Sequence, residues 1–160
     1  MPNQSEASLV QISVNPKGGV PKLRIQSTFI GTQGVAGDKQ RDRRFHGGPE
    51  RAVCLFSQER INALQAEGHP IDPGTTGENL TMCGLDWSQL KPGQQLRVGE
   101  EVLLEITSYT TPCSNIAASF AKGEFKRIAQ KLHPGWSRLY AKVLHEGTVT
   151  EGDKVQLIES

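Results

Sequence analysis

Glycine and proline break this chain into short pieces. The sequence holds 17 glycines and 9 prolines among 160 residues, scattered without period. Glycine takes up the backbone conformations of tight turns, and proline cannot donate to a helix or sheet ladder. Breakers this frequent therefore favour many short strands joined by turns over long helices. The hydrophobic fraction, 36%, is spread along the chain and supports a packed core rather than disorder. At this length one domain, residues 1–160, is expected.

Leu9 to Val14 nearly alternates and runs into the breaker group Asn15-Pro16-Lys17-Gly18-Gly19, which predicts a strand and a turn. Leu23 to Ile30 is expected to return as a second strand. Arg51 to Phe56 is the short apolar run of a buried strand. Ser57 then caps a helix carrying Ile61, Leu64 and Ala66, which stops near Gly68. Glu78 to Met82 predicts a strand, and Gln95–Val98 with Val102–Thr107 a hairpin around Gly99-Glu100. Residues 114–132 have helical spacing in two pieces broken near Gly123. Leu139–Leu144 and Val155–Ile158 close the chain as strands, joined by turns at Glu146-Gly147 and Glu151-Gly152-Asp153. Seven or so short strands with two or three helices predict a mainly β fold, a barrel or a sandwich with helical insertions.

Eighteen basic residues against 17 acidic give a net charge of +1. That balance supplies no global field for nucleic acid or anionic membrane, so neither is expected as a partner. No apolar run approaches a membrane span and the polar start is no signal peptide, so a cytoplasmic protein is expected. Cys54, Cys83 and Cys113 lie about thirty residues apart, which fits neither a disulfide framework nor a CxxC metal clip; reduced thiols are expected.

Residues 31–48 have little apolar content and dense charge, the pattern of a functional loop. Within Asp38 to Arg51, the basic residues Lys39, Arg41, Arg43, Arg44 and Arg51 flank His46-Gly47-Gly48-Pro49. Arginine forks and exposed glycine amides suit a phosphate, and the alternative from charge alone is a solvated, salt-bridged loop. His46 is either a hydrogen-bonded structural histidine or a functional one. A second polar loop, Pro73 to Leu80, offers Thr76, Glu78 and Asn79 as ligand hydrogen-bonding groups, or is a turn. Cys113 follows a strand and opens a predicted helix, where unpaired amides and the helix dipole favour thiolate. Cys54, between Val53 and Leu55, has the setting of a small core hydrophobe. The three loops, 31–48, 73–79 and 110–115, are expected to converge on one cleft.

Taken together, Gly37-Asp38 with Asp42, His46-Gly47-Gly48-Pro49, Gly74-Thr75-Thr76-Gly77-Glu78-Asn79-Leu80, Pro112-Cys113, and Tyr140-Ala141-Lys142-Val143 with Gly147 and Gly152-Asp153 resemble the MOSC domain family, named for the C-terminal domain of molybdenum cofactor sulfurases. The resemblance covers nearly the whole chain. One stretch departs from it: many relatives carry arginine then glycine before the strand of Tyr140, where this chain has Trp136-Ser137-Arg138-Leu139.

The resemblance implies a MOSC-type β-barrel and a pocket for molybdenum cofactor (molybdopterin), with Cys113 as molybdenum ligand or sulfur carrier. Cys113 and His46 become the candidate catalytic residues. Asp38, Arg41, Arg43, Arg44, Arg51, Gly47, Gly48, Thr76, Glu78 and Asn79 become the candidate cofactor-binding set, the arginines clamping phosphate and the others holding pterin or orienting substrate. The implied activity is molybdenum-dependent reduction of N-hydroxylated compounds or sulfur transfer. The alternative is a trafficking module that holds cofactor or sulfur without turnover. Pyridoxal phosphate enters only through a partner cysteine desulfurase, and electrons through a separate electron-transfer partner.

Overall fold

The computed structural model describes residues 6–39 and 48–159. In chain order they form β1 (Ser8–Val14), β2 (Leu23–Ile25), β3 (Ser27–Gly31), β4 (Gly34–Val35), β5 (Val53–Ser57), helix α1 (Gln58–Ala66), β6 (Leu80–Cys83), β7 (Gln95–Val98), β8 (Val102–Tyr109), β9 (Leu139–His145), β10 (Gly147–Thr150) and β11 (Val155–Ile158). An eight-stranded sheet runs β11-β7-β8-β9-β5-β6-β1-β2, and a three-stranded sheet runs β10-β3-β4. The fold is mainly β, as its breakers predict. No helix among the described residues is long and apolar enough to cross a membrane.

β5 lies inside the larger sheet because its sequence has no polar face to show water. Val53, Leu55 and Phe56 are fully buried, each contributing roughly 1.5–3 kcal/mol by leaving water. It pairs antiparallel with β9 (Val53 opposite Ala141) and parallel with β6 (Leu55 opposite Leu80). A parallel partner needs a crossover, and α1 provides it. Ser57 caps α1, its Oγ accepting from Arg60 N at 3.1 Å, and Ile61 and Leu64 press into the core. β1 shows how the pattern is corrected locally. Leu9 and Ile12 are three apart yet both buried, and the ladder to β6 shifts register between Leu9 and Gln11. Such a bulge resets which face a side chain meets.

Three expectations need correction. The sheet is not a closed barrel. β2 occupies the outer edge of β1 along Ile12–Val14, so only the start of β1 is left to meet the other end of the sheet. There an isolated bridge joins Ser8 to Lys154, with Leu9 N donating to Asp153 O at 2.8 Å and Val155 N to Ala7 O at 2.9 Å. The single strand expected over Leu23–Ile30 is two, β2 and β3, which pair in different sheets. Finally, residues 114–132 form no α-helix but three 3-10 turns, Ser114–Ser119, Ala121–Gly123 and Phe125–Ile128. Phe120 is extended (φ −126°, ψ 139°). Its ring meets the His69 imidazole edge-on at 5.3 Å, and Ala121 N donates to His69 Nδ1 at 3.0 Å. A tertiary acceptor thus takes an amide that a continuous helix would have used.

The stretch that leads into β9 is held from both sides by tryptophan. Trp87 donates its Nε1–H to Ser137 O at 2.8 Å. The Trp136 ring carries two guanidinium groups, Arg60 at 4.3 Å and Arg127 at 4.1 Å from its centroid, an arrangement in which charge meets the negative face of the indole.

Candidate functional site

A cleft of about 280 Å³ opens where the loops between strands meet. Its wall includes Gly18, Gly19 and Lys22 from the β1–β2 connection, Lys39, Arg51, Cys54 on β5, Thr76 and Asn79, Cys113 and Asn115, and Arg138 and Tyr140 at the start of β9. Loops 31–48, 73–79 and 110–115 each contribute. Among the described residues four cationic side chains line it and no carboxylate does.

The β1–β2 connection and the 73–79 loop are pressed together by glycine. Gly74 has φ +87°, and a Cβ there would lie 2.6 Å from Lys22 O; Lys22 N donates to Gly74 O at 2.9 Å. Any other residue would force the two walls apart. Asp38 fastens the same corner. Its Oδ2 accepts from Lys22 Nζ at 2.5 Å and Asn79 Nδ2 at 2.9 Å, and its Oδ1 from Asn15 N at 2.8 Å. Asn79 in turn accepts Cys54 N through Oδ1 at 3.0 Å. Asp38 is therefore bound to the protein rather than turned to the cleft, while Asn79 and Thr76 reach its wall.

Glu78 is fully buried and off the cleft wall. Thr76 Oγ1 donates to one carboxyl oxygen at 2.8 Å and Thr81 Oγ1 to the other at 3.2 Å. Burial pushes its carboxyl up from the usual carboxylate range, against the lowering effects of the Gly74 amide, the Thr76 hydroxyl, its own amide and the Arg138 charge. Gly48 (φ +86°) precedes the 3-10 turn Pro49–Arg51 and does not line the cleft. Arg51 does, its guanidinium 5.5 Å from the centre of the Tyr140 ring. Arg41, Arg43, Arg44, His46 and Gly47 lie outside the described residues.

Cys113 lines the cleft and is half-buried. It precedes a six-residue 3-10 turn, not an α-helix, so the aligned dipole expected there is absent. Cys54 shares the cleft although it is buried, and burial pushes its thiol up. Cys83 lies elsewhere, 3.2 Å from Ser8 Oγ. The Tyr140 hydroxyl is pushed up to about 12, first by burial and then by the neighbouring Cys54, so it keeps its proton at neutral pH. Among the described residues no three His, Cys, Asp or Glu side chains gather to hold a metal ion.

Sequence reasoning passed over Lys22 and Arg138 as site residues. Arg138 is 6% exposed, and its signal was present in the sequence: a lone charge between Ser137 and the apolar strand from Leu139, where the interior offers no water.

Residues 42–156 match the MOSC domain model. YflK of Bacillus subtilis (strain 168) is 31% identical over 123 residues, 76% of this chain and 54% of YflK. A protein of Gibberella moniliformis (strain M3125 / FGSC 7600) named "Reductase" is 30% identical over 136 residues, 82% of this chain and 24% of that protein. The chain thus spans about half the length of one relative and a quarter of the other. The crystal structure of YiiM from Geobacillus stearothermophilus superposes with a TM-score of 0.72 at 24% identity, covering 96% of this chain and 75% of that one. With the open mainly β sheet and the glycine-pinned cleft, the match across most of the sequence places this chain in the MOSC domain family.

Proposed function

We propose that this MOSC protein binds molybdenum cofactor in the cationic cleft, presents Cys113 as the protein's thiolate donor to the metal, and reduces N-hydroxylated compounds with electrons from a separate protein. The observation that carries the reading is a half-buried cysteine in a cleft lined, among the described residues, by four cationic residues, of which only Lys22 is paired with a described carboxylate, and by no carboxylate. Such a wall selects an anionic ligand, and a soft sulfur donor suits molybdenum. The residues present fit the group: Arg138 brings a buried Nε–H that no described residue accepts, and Lys39 and Arg51 add charge around it. When bound, the cofactor supplies two-electron redox chemistry at the metal.

The chain's own residues bind, orient and hold protons. Lys39, Arg51 and Arg138 hold the anion. Asn79 and Thr76, fixed by their own internal bonds, shape the wall. Tyr140 keeps its hydroxyl proton and acts as a donor rather than a base. Overall, an N–OH group, two electrons and two protons give N–H and water. The relative named "Reductase" supports this class of reaction.

The partial exposure of Cys113 favours a second reading, sulfur carriage. A persulfide on a pyridoxal-phosphate-dependent cysteine desulfurase would pass its outer sulfur to the Cys113 thiolate and leave as a thiolate. A module that stores cofactor without turnover has the same wall and no activity. Protein purified from cells that make the cofactor tests all three. Molybdenum and pterin in the isolated protein, with reduction of an N-hydroxy substrate on adding an electron donor, is the expected result. Absence of both molybdenum and pterin sinks the first reading. A reversible gain of one sulfur on Cys113 after incubation with a desulfurase and cysteine favours the second.

A further inference from the structure

Arg138 is a buried cation whose protein partners do not complete it. It lines the cleft, as do Thr76 and Tyr140. Nη1 donates to Thr76 O at 2.6 Å, and the residue's own carbonyl is tied down by Thr110 N at 2.9 Å and Ser137 Oγ at 2.6 Å. Backbone and one arm are thus fixed. Nε is buried and has no hydrogen-bond partner among the described residues, and none of the ion pairs among them includes Arg138. Glu78, the buried carboxyl held by Thr76 from the other side, attracts Arg138 across space but makes no ion pair with it, its oxygens taking the threonine hydroxyls. A buried guanidinium without an anion is costly, and an unmet buried donor adds to the cost. Lys39 and Arg51 share the cleft, as does Lys22 with its ammonium on Asp38, and among the described residues no carboxylate lines it.

We infer that Arg138 is the anchoring residue for an oxyanion of the bound ligand, a phosphate or a carboxylate gripped through the Nε side of its guanidinium within reach of Cys113. The inference rests on the cleft described above but not on molybdenum. The oxyanion belongs either to the cofactor's phosphate or to an anionic substituent on the substrate. The fixed Nη1 arm orients the guanidinium before the ligand arrives, so a planar, two-pronged acceptor is preferred over a point charge.

Inorganic phosphate, with acetate as the carboxylate probe, is titrated into cofactor-free protein while melting temperature and the rate of Cys113 alkylation are read. Wild type is expected to gain roughly 4 °C or more at saturation and to alkylate more slowly at Cys113. Arg138→Met is expected to lose both responses, yet to melt at or above the wild-type temperature in anion-free buffer, because it removes an uncompensated charge; a merely structural arginine would give a lower value. Should Arg138→Met fail to fold, Arg138→Lys decides, with phosphate affinity expected about tenfold weaker. No phosphate response in wild type, or an unchanged one in the variants, overturns the inference.

The source is then assigned with Arg138→Lys in cells that make the cofactor. Lost pterin retention assigns the oxyanion to the cofactor. Retained pterin, with KM raised about tenfold for a carboxylate-bearing N-hydroxy substrate but not for a neutral one, assigns it to the substrate. In protein that acquires the cofactor, the absence of both changes overturns the inference. A phosphate response in protein that never acquires molybdenum leaves Arg138 assigned and removes the cofactor reading; molybdenum retained by both proteins without any phosphate response does the reverse.

Discussion

Glu78 and Arg138 are both buried, both hydrogen-bonded to Thr76, and treated oppositely by the fold. Glu78 has a donor on each oxygen and stands behind the cleft wall; Arg138 stands in the wall with Nε unmet. A buried polar group whose bonds are complete is part of the scaffold, whereas one whose bonds are incomplete depends on something that arrives later. The sequence suggests the reverse, since Glu78 sits in a glycine-flanked motif and Arg138 in a stretch that departs from the family pattern.

The comparison breaks most visibly at Glu78. Glu78→Ala strands the Thr76 and Thr81 hydroxyls and leaves a cavity, so chemical denaturation should show a loss of about 4 kcal/mol; a loss below about 1 kcal/mol would mean that the carboxyl is not scaffold. Glu78→Gln sharpens the point through pH. Because burial raises the folded-state value, the native protein holds this proton where the unfolded chain has released it. Wild-type stability should therefore fall, relative to Glu78→Gln, as pH rises from about 4.3 through the raised folded value. A difference flat in pH would contradict the raised value.

Asp38 is the next test, being a second carboxylate with all its partners inside the protein. Asp38→Asn keeps an acceptor for the Asn15 amide but leaves Lys22 without its counter-charge, and a loss of about 2–3 kcal/mol is expected, below the cost of a fully stranded pair. The wall residues should behave differently. Lys39→Ala is expected to change stability by no more than about 0.5 kcal/mol while lowering retention of an anionic ligand, measured by equilibrium dialysis. Cys113→Ser is expected to be equally silent in denaturation and to abolish metal retention or persulfide formation. Among the thiols of the native wild type, Cys113 should alkylate before Cys54, which is buried with its thiol pushed up. Reversal of that order would end the assignment of Cys113.

The patterned parts of the fold are legible in the sequence. β1, β5, the Ser57 cap and the β7–β8 hairpin follow from apolar spacing and turn residues acting locally. The misread parts are those where a distant group decides. His69 takes the Ala121 amide and converts an apparent helix into 3-10 turns. β10 has little apolar signal and is a strand only because β3 lies beside it. Closure of the sheet fails because β2 competes for one edge of β1. In the site, the polar loop 73–79 is legible as a unit, but which of its side chains face inward depends on its contact with Lys22. Arg138 is marked in the sequence as a lone charge before an apolar strand, but its unmet donor depends on what distant residues pack around it.

The two tryptophans of the sequence both touch the segment that carries Arg138, Trp87 through the Ser137 carbonyl and Trp136 between Arg60 and Arg127. Indole emission is sensitive to nearby charge and to loss of a hydrogen bond, so the unlabelled protein contains its own optical gauge of this segment. Ligand arriving at Arg138 should register as a change in intrinsic fluorescence, and rapid mixing would follow its arrival in time without any dye, tag or turnover.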